Sequence, residues 1–118
     1  MSKPLHNYLR AFRRGAGLTQ KEVAFLLGLP TASQVSRLEH AVREPNLKIL
    51  LALELLFRTP GRRLFAGVQD DVERRTQGRA RRLLARMERR NADARQARKR
   101  ETLEALLADP GDDLGLPT

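Results

Sequence analysis

Four polar side chains within one short stretch could form hydrogen bonds with a nucleic acid. They are Ser33, Gln34, Ser36 and Arg37. Val35 and Leu38 lie among them at the spacing of a single helical stripe, which would pack toward a core. Small polar side chains and one arginine on the remaining surface of such a helix fit the major groove of DNA. The chemistry that these residue types predict is therefore recognition through hydrogen bonds.

Residues that could perform catalysis or bind a metal ion are sparse. The chain has no cysteine, which excludes thiolate nucleophiles and cysteine metal ligands. Its two histidines, His6 and His40, have no further histidine or acidic cluster at metal-ligand spacing. No G-x-S-x-G motif and no glycine-rich phosphate loop after a strand occurs. We therefore expect no enzymatic activity, no metal ion and no cofactor.

The composition predicts an anionic partner. The 118 residues carry a net charge of +9, with 23 lysines and arginines against 14 acidic residues. A small protein this basic usually binds nucleic acid and less often a membrane surface. The longest apolar run is about half the length that a membrane span needs, so we expect no membrane association. The lack of cysteine fits a reducing cytoplasm, so we expect a cytoplasmic protein.

Apolar periodicity and capping signals predict five short helices in residues 1–67. The apolar stripes of the first three are Leu5, Leu9 and Phe12; Val23, Leu26 and Leu27; and Val35 and Leu38. Thr19 and Glu22 have the spacing of a capping box before the second helix, and Gly28 suits its end. Thr31 and Gln34 repeat that spacing before the third helix.

The fourth and fifth helices follow a loop at residues 43–46. Asn46 can cap the fourth helix, at residues 47–57, which is apolar almost all round and should therefore be central. Thr59 is the expected N-cap of the fifth helix, with Pro60 at its first helical position. No stretch has the strict alternation of a β-strand, so the sequence predicts an all-α fold.

Residues 68–108 should form a long basic helical extension, and residues 109–118 a disordered tail. All 12 basic residues after position 67 lie between residues 74 and 100. The apolar stripe of the extension is Val72, Ala80, Leu83 and Met87. Such a stripe could pair two helices, so dimerisation is the favoured interpretation. A second DNA contact, a protein partner or a solvated helix are the alternatives.

The segment between the second and third helices forces a sharp corner. A helix cannot continue through the G-L-P-T of residues 28–31, so the two helices must meet at a large angle. Their apolar residues must then share one core, to which the third helix contributes only Val35 and Leu38. The corner would hold the polar side of the third helix away from the body of the protein.

With this corner the sequence resembles the phage-repressor (Cro/XRE) helix-turn-helix family over about residues 5–66. The residues that carry the resemblance are Arg13, Gln20, Ala24 and Gly28 at the family's spacing, the V-S-R-L-E of residues 35–39, and Pro45. The resemblance implies a five-helix DNA-binding domain in a bacterial or phage protein that is located at the nucleoid. Gln20 is similar to the family's glutamine that binds a phosphate and braces the third helix. The turn differs, because L-P-T-A-S-Q at residues 29–34 is one residue longer than usual.

The resemblance also implies roles for single residues. Contacts with DNA are expected from Gln20, Thr31, Ala32, Ser33, Gln34, Ser36, Arg37, His40 and Arg43. Among them, Ser33, Gln34 and Arg37 are the expected readers of base edges. Arg13 and Glu39 would form a buried ion pair that ties the first helix to the third and has a structural role.

The sequence thus predicts a regulator of transcription that binds double-stranded DNA as a homodimer, places residues 32–40 in the major groove and acts as a repressor. Two other interpretations stay open. The chain could be an antitoxin that represses its own operon and binds a toxin through an extension that orders on binding. It could also be a nucleoid or RNA-binding protein that uses bulk positive charge without base preference.

Overall fold

The computed structural model describes residues 5–87 and 93–108, and over these residues the protein is all-helical. The helices are α1 (Leu9–Gly15), α2 (Gln20–Leu27), α3 (Ala32–Glu39), α4 (Leu47–Phe57), α5 (Gly61–Leu64), α6 (Ala66–Met87) and α7 (Ala94–Ala108). The predicted all-α fold, with five short helices followed by a helical extension, is confirmed. The tail predicted at residues 109–118 lies outside the described residues.

The chain divides into two compact units. The N-terminal unit extends to Asp70 and contains α1 to α5 with the first residues of α6. The C-terminal unit begins at Asp71 and contains the rest of α6 and α7. No helix in the described part of the chain is both long enough and apolar enough to cross a membrane.

Two predicted helix ends are confirmed around α2. The Thr19 hydroxyl accepts a hydrogen bond from the Glu22 backbone nitrogen at 3.0 Å, and the Glu22 carboxylate accepts one from the Thr19 nitrogen at 2.9 Å. Gly28 ends the helix with a φ of +73°, a left-handed conformation in which a Cβ atom is strained. Asn46 likewise caps α4, since its side chain accepts from the Ile49 nitrogen at 2.9 Å.

Two other predicted caps are wrong. Thr31 is at the N-cap position of α3, but its side chain makes no capping hydrogen bond, and its hydroxyl lies 2.9 Å from the Ser33 hydroxyl instead. Pro60 and not Thr59 is the N-cap of α5; the Thr59 hydroxyl donates to the Phe57 carbonyl at 2.8 Å. The backbone nitrogen of Gly61 is satisfied by the Glu54 carboxylate, at 2.5 Å, so α5 needs no threonine cap.

The core of the N-terminal unit has two clusters. Leu9, Leu38, Leu53, Leu64 and Phe65 form the larger cluster. Val23, Ala24 and Val35 form the smaller one, at the corner between α2 and α3. The rings of Phe12 and Phe57 add a tilted aromatic pair with centroids 5.8 Å apart. Residues of α3 therefore belong to both clusters, which fixes this short helix from two sides.

Several predicted core positions are exposed. α1 begins at Leu9, and Leu5 lies outside it with its side chain in solvent. Leu26 is also exposed, because α2 buries only Val23 and Ala24 fully. Leu5 is exposed because α1 begins after it, and Leu26 because α2 packs through one narrow side.

The prediction that α4 is central is wrong. Leu53 is 1% exposed, but Leu47, Leu51 and Leu55 are 69%, 53% and 80% exposed. α4 therefore lies at the surface of the unit and buries one side only. A helix that is apolar all round is buried when neighbours surround it, and a unit this small provides neighbours on one side.

In the C-terminal unit, the predicted apolar stripe is partly buried within the single chain. Ala80 and Met87 are 4% and 5% exposed, whereas Val72 is 51% exposed. α6 continues through Gly78, and the Gln77 side chain donates to the Leu106 carbonyl at 3.4 Å. Because Ala80 and Met87 are already covered, the stripe offers a second chain much less apolar surface than the sequence pattern predicts.

Gly67→Ala is expected to destabilise the N-terminal unit by about 1–3 kcal/mol through overpacking. A Cβ atom at this position would lie 2.7 Å from both the His6 Cα and the Leu5 carbonyl oxygen. Gly78→Ala is the control in the same helix: nothing lies within 4 Å of its Cβ, and it should gain up to about 1 kcal/mol of helix propensity. Urea unfolding followed by circular dichroism measures both changes. A gain of stability with Gly67→Ala would contradict the close approach.

Candidate nucleic-acid interface

The C-terminal end of α3 is held by a buried ion pair with α1. Arg13 donates from Nε to Glu39 Oε2 at 2.5 Å and from Nη2 to Oε1 at 3.3 Å. The side chains of Glu39 and Arg13 are only 2% and 12% exposed. This fork of two parallel hydrogen bonds sets both the distance and the angle between the two helices.

Further hydrogen bonds complete the ion pair. Gln20, the first residue of α2, donates from Nε2 to Glu39 Oε1 at 3.1 Å. The remaining end of the Arg13 guanidinium donates to the Leu18 carbonyl at 3.0 Å. Glu39 thus joins α1, α2 and α3 through one carboxylate. The Gln20 side chain is in place to brace α3.

Asn7 is a structural residue that the sequence analysis missed. Its side-chain nitrogen donates to the Leu38 carbonyl at 2.9 Å, and its side-chain oxygen accepts from the Leu9 nitrogen at 3.1 Å. Asn7 therefore links the start of α1 to the end of α3. The contact with Leu9 is local, since asparagine side chains often bond a backbone nitrogen two residues later, whereas the contact with Leu38 is not.

The additional residue between α2 and α3 lies in the turn that joins the two helices. The Leu29 nitrogen donates to the Ala24 carbonyl at 2.8 Å, and the Leu29 side chain packs against both core clusters. Pro30 and Thr31 then lead into α3, whose first helical residue is Ala32. This register makes Ser33 the second residue of the helix and brings Arg37 one turn later.

The predicted DNA-contacting residues differ in exposure. Those with exposed side chains are Thr31, Ser33, Arg37, His40 and Arg43. Those that are half-buried are Gln20, Ala32, Gln34 and Ser36. Within α3 and its C-cap, Ser33, Arg37 and His40 are spaced at i, i+4 and i+7, so they lie along one side of the helix. That side is open to a ligand.

The exposed polar groups are organised to different degrees. His40 Nδ1 lies 2.8 Å from the Ser36 carbonyl and 3.3 Å from its hydroxyl, which orients the imidazole ring. Over residues 5–87 and 93–108, no hydrogen bond or ion pair involves the Arg37 guanidinium. All the donors of Arg37 are therefore available to a partner.

Gln34 lies beside a groove between α3 and the loop that precedes α4. Arg43 and Glu44 also line this groove. Gln34 thus shares this groove with residues of the loop. Residues 1–67 carry 11 basic and four acidic residues, and Glu39 is neutralised by Arg13, so the exposed charge of this half is strongly positive.

In the described part of the chain, no three histidine or acidic side chains could hold a metal ion.

Comparison with known proteins agrees with this geometry. Residues 9–64 match the model of a protein family described as helix-turn-helix. No curated protein and no solved structure matches the chain. The matched segment runs from the first residue of α1 to the last residue of α5, and so contains the braced corner and the whole of α3. The match identifies residues 9–64 as a helix-turn-helix domain similar to the Cro-type, XRE-like family, and it supports a DNA-binding regulator of transcription.

Proposed function

We propose that this protein binds a specific sequence in double-stranded DNA as a homodimer and represses transcription from the promoter that contains it. α3 enters the major groove, Ser33 and Arg37 contact base edges, and Gln34 contributes from the side of the groove. Gln20, His40 and Arg43 contact phosphates. The protein acts at the nucleoid in the cytoplasm and needs no cofactor.

The observation that carries this proposal is the combination of a fixed helix with a free arginine. Glu39 holds α3 through Arg13 and Gln20, and Val35 and Leu38 anchor it in the core. The Arg37 guanidinium, on the exposed side, has no hydrogen bond or ion pair with the residues that the structure describes. A rigid support reduces the ordering cost on binding, so a larger part of each base contact appears as affinity.

The exposed positive charge supplies the affinity that does not depend on sequence. Lysine and arginine side chains release counterions when they neutralise phosphates, so binding should weaken steeply as salt rises. If two copies occupy adjacent half-sites, the centres of the half-sites should lie one turn of the DNA helix apart, which is about 34 Å, or a whole number of turns apart. Selection of bound sites from random DNA at a stated salt concentration gives the sequence and the spacing.

Arg37→Ala is expected to relax the preference at one base-pair position by about 1–3 kcal/mol, while preferences at the other positions are kept. The measurement is competition binding with a series of duplexes that carry single base-pair changes in the selected site. Arg43→Ala is the matched control, because a phosphate contact carries no sequence information and its loss weakens every duplex about equally. If Arg37→Ala also weakened all duplexes equally, Arg37 would not read a base.

The same experiment tests the alternative of binding by bulk charge. A nucleoid or RNA-binding protein of that kind would show no preferred site in the wild type, and both variants would weaken binding uniformly. A preferred site in the wild-type protein with position-specific loss in Arg37→Ala would exclude that alternative.

A further inference from the structure

The exposed side of α4 is an apolar surface that the proposed DNA contact does not use. Leu47, Leu51 and Leu55 follow one another at intervals of four residues, so they form one continuous stripe along the helix. They are 69%, 53% and 80% exposed. The exposed leucine surface amounts to on the order of 350 Å² in one chain, within the range of the largest apolar patch on a typical monomer, which is often functional.

Charge identifies the kind of molecule that fits this surface. Residues 44–58 contain two acidic and two basic residues, so this segment is neutral within a chain of net charge +9. A polyanion such as DNA gains nothing from a neutral leucine stripe. Two copies of a basic chain, in contrast, repel one another least where their surfaces are neutral. The stripe therefore suits a second copy of this chain.

The flanking charges select one orientation of the two copies. Glu44 precedes the stripe and Arg58 is the residue that ends α4, and both side chains are exposed. In an antiparallel pair, the N-terminal end of each helix lies beside the C-terminal end of the other. Glu44 then approaches Arg58 of the second copy at both ends, whereas a parallel pair brings like charges together. Leu51, at the middle of the stripe, lies at the two-fold axis.

We propose that the homodimer forms through antiparallel pairing of α4, with the Leu47–Leu51–Leu55 stripe of each copy packed on that of the other. This inference rests on the homodimer of the proposed function and moves its interface from the extension to the DNA-binding domain. The two stripes would bury about 700 Å² of leucine surface, roughly half of a standard interface, and the polar rim around them supplies the remainder. The extension offers less, because Ala80 and Met87 are buried in the single chain.

The test is sedimentation equilibrium of the full-length chain without DNA, comparing Leu51→Lys with Val72→Lys. These variants are matched: both residues lie on helices, they are 53% and 51% exposed, and both gain one lysine. The wild type should dimerise with a dissociation constant on the order of micromolar. Leu51→Lys should weaken the dimer at least about 100-fold, since two lysines meet at the axis, and Val72→Lys should leave it unchanged.

A second pair of variants tests the orientation without touching the stripe. Glu44→Arg and Arg58→Glu should each weaken the dimer about tenfold, because two opposite-charge contacts become like-charge contacts. The double variant, which keeps the net charge of the wild type, should return to within about threefold of wild-type dimerisation. Circular dichroism confirms that each variant is folded. Recovery in the double variant supports the antiparallel pair.

Four outcomes would overturn this interface. They are a wild type that stays monomeric at about 100 μM, a Leu51→Lys variant that dimerises normally, a Val72→Lys variant that becomes monomeric, and a double charge variant that dimerises no better than the single variants.

Binding to a duplex with one half-site separates this inference from the proposed function. Leu51→Lys should keep the wild-type base preference there. A dimer broken by Leu51→Lys in a protein without base preference would support the interface and contradict the proposed function.

Discussion

Glu39→Leu should lower the free energy of unfolding of the N-terminal unit by about 3–5 kcal/mol. The carboxylate accepts hydrogen bonds from Arg13 and Gln20 and is 2% exposed, so its loss leaves the Arg13 charge almost buried without an anion. A buried charge without a partner keeps the full cost of its removal from water. The substitution also frees the end of α3, so sequence-specific DNA binding should fall along with stability.

Tyrosine fluorescence during urea unfolding gives the measurement. Tyr8 is the single tyrosine and there is no tryptophan, so the signal reports on the N-terminal unit alone. Arg13→Met with Glu39→Leu is the control, because removing both side chains leaves no buried charge without a partner. The double variant should be more stable than Glu39→Leu by itself. A cost below about 1 kcal/mol for Glu39→Leu would show that the pair is solvated and contributes as little as a surface pair.

Leu53→Ala should destabilise the same unit by about 3–5 kcal/mol, through lost transfer free energy and the cavity that remains. Leu53 is 1% exposed and belongs to the larger core cluster with Leu9, Leu38 and Leu64. The cluster joins α1, α3, α4 and α5, so neighbouring side chains cannot close the cavity without moving a helix.

Leu26→Ala is the matched control for this prediction. The same atoms are removed, but Leu26 is 52% exposed, so the cost should be about 1 kcal/mol or less. Both variants are measured by the fluorescence of Tyr8 during urea unfolding, and an unchanged slope with denaturant indicates that only stability has changed. Equal losses of unfolding free energy in Leu53→Ala and Leu26→Ala would contradict the burial of Leu53 in the core.

The secondary structure and the corner could be predicted because their causes are local. Thr19 and Glu22 form the predicted capping box, and Gly28 has the left-handed conformation that a helix end requires. These contacts join residues at most a few positions apart, so the sequence around them contains the information. The all-α class follows in the same way from apolar spacing.

The two wrong cap predictions show that the neighbouring sequence does not determine which polar group caps a helix. Thr31 and Gln34 have capping-box spacing, yet the Thr31 hydroxyl pairs with Ser33. The Gly61 nitrogen is satisfied by Glu54, seven residues earlier on another helix. Several polar groups can reach the same helix end, and their geometry in three dimensions decides which one binds.

The residues proposed for DNA contact were identified by type and spacing, but only the structure distinguishes their surroundings. Gln34 and Ser36 are half-buried, whereas Ser33 and Arg37 are exposed. This difference depends on the register of α3, which the Leu29 side chain and the turn at Pro30 set by packing. Asn7, which binds α3 from a distance of 31 residues along the chain, has no local signature for that contact.

Local sequence was sufficient for the type of each element, the order of the helices and the family that residues 9–64 match. The buried side of α3 followed from its apolar stripe, but the side that α4 buries was decided by tertiary structure alone. α4 is apolar all round, so its pattern does not distinguish Leu53, which is buried, from Leu51 and Leu55, which are exposed. Burial depends on which other helices lie alongside, and that is a property of contacts between distant residues.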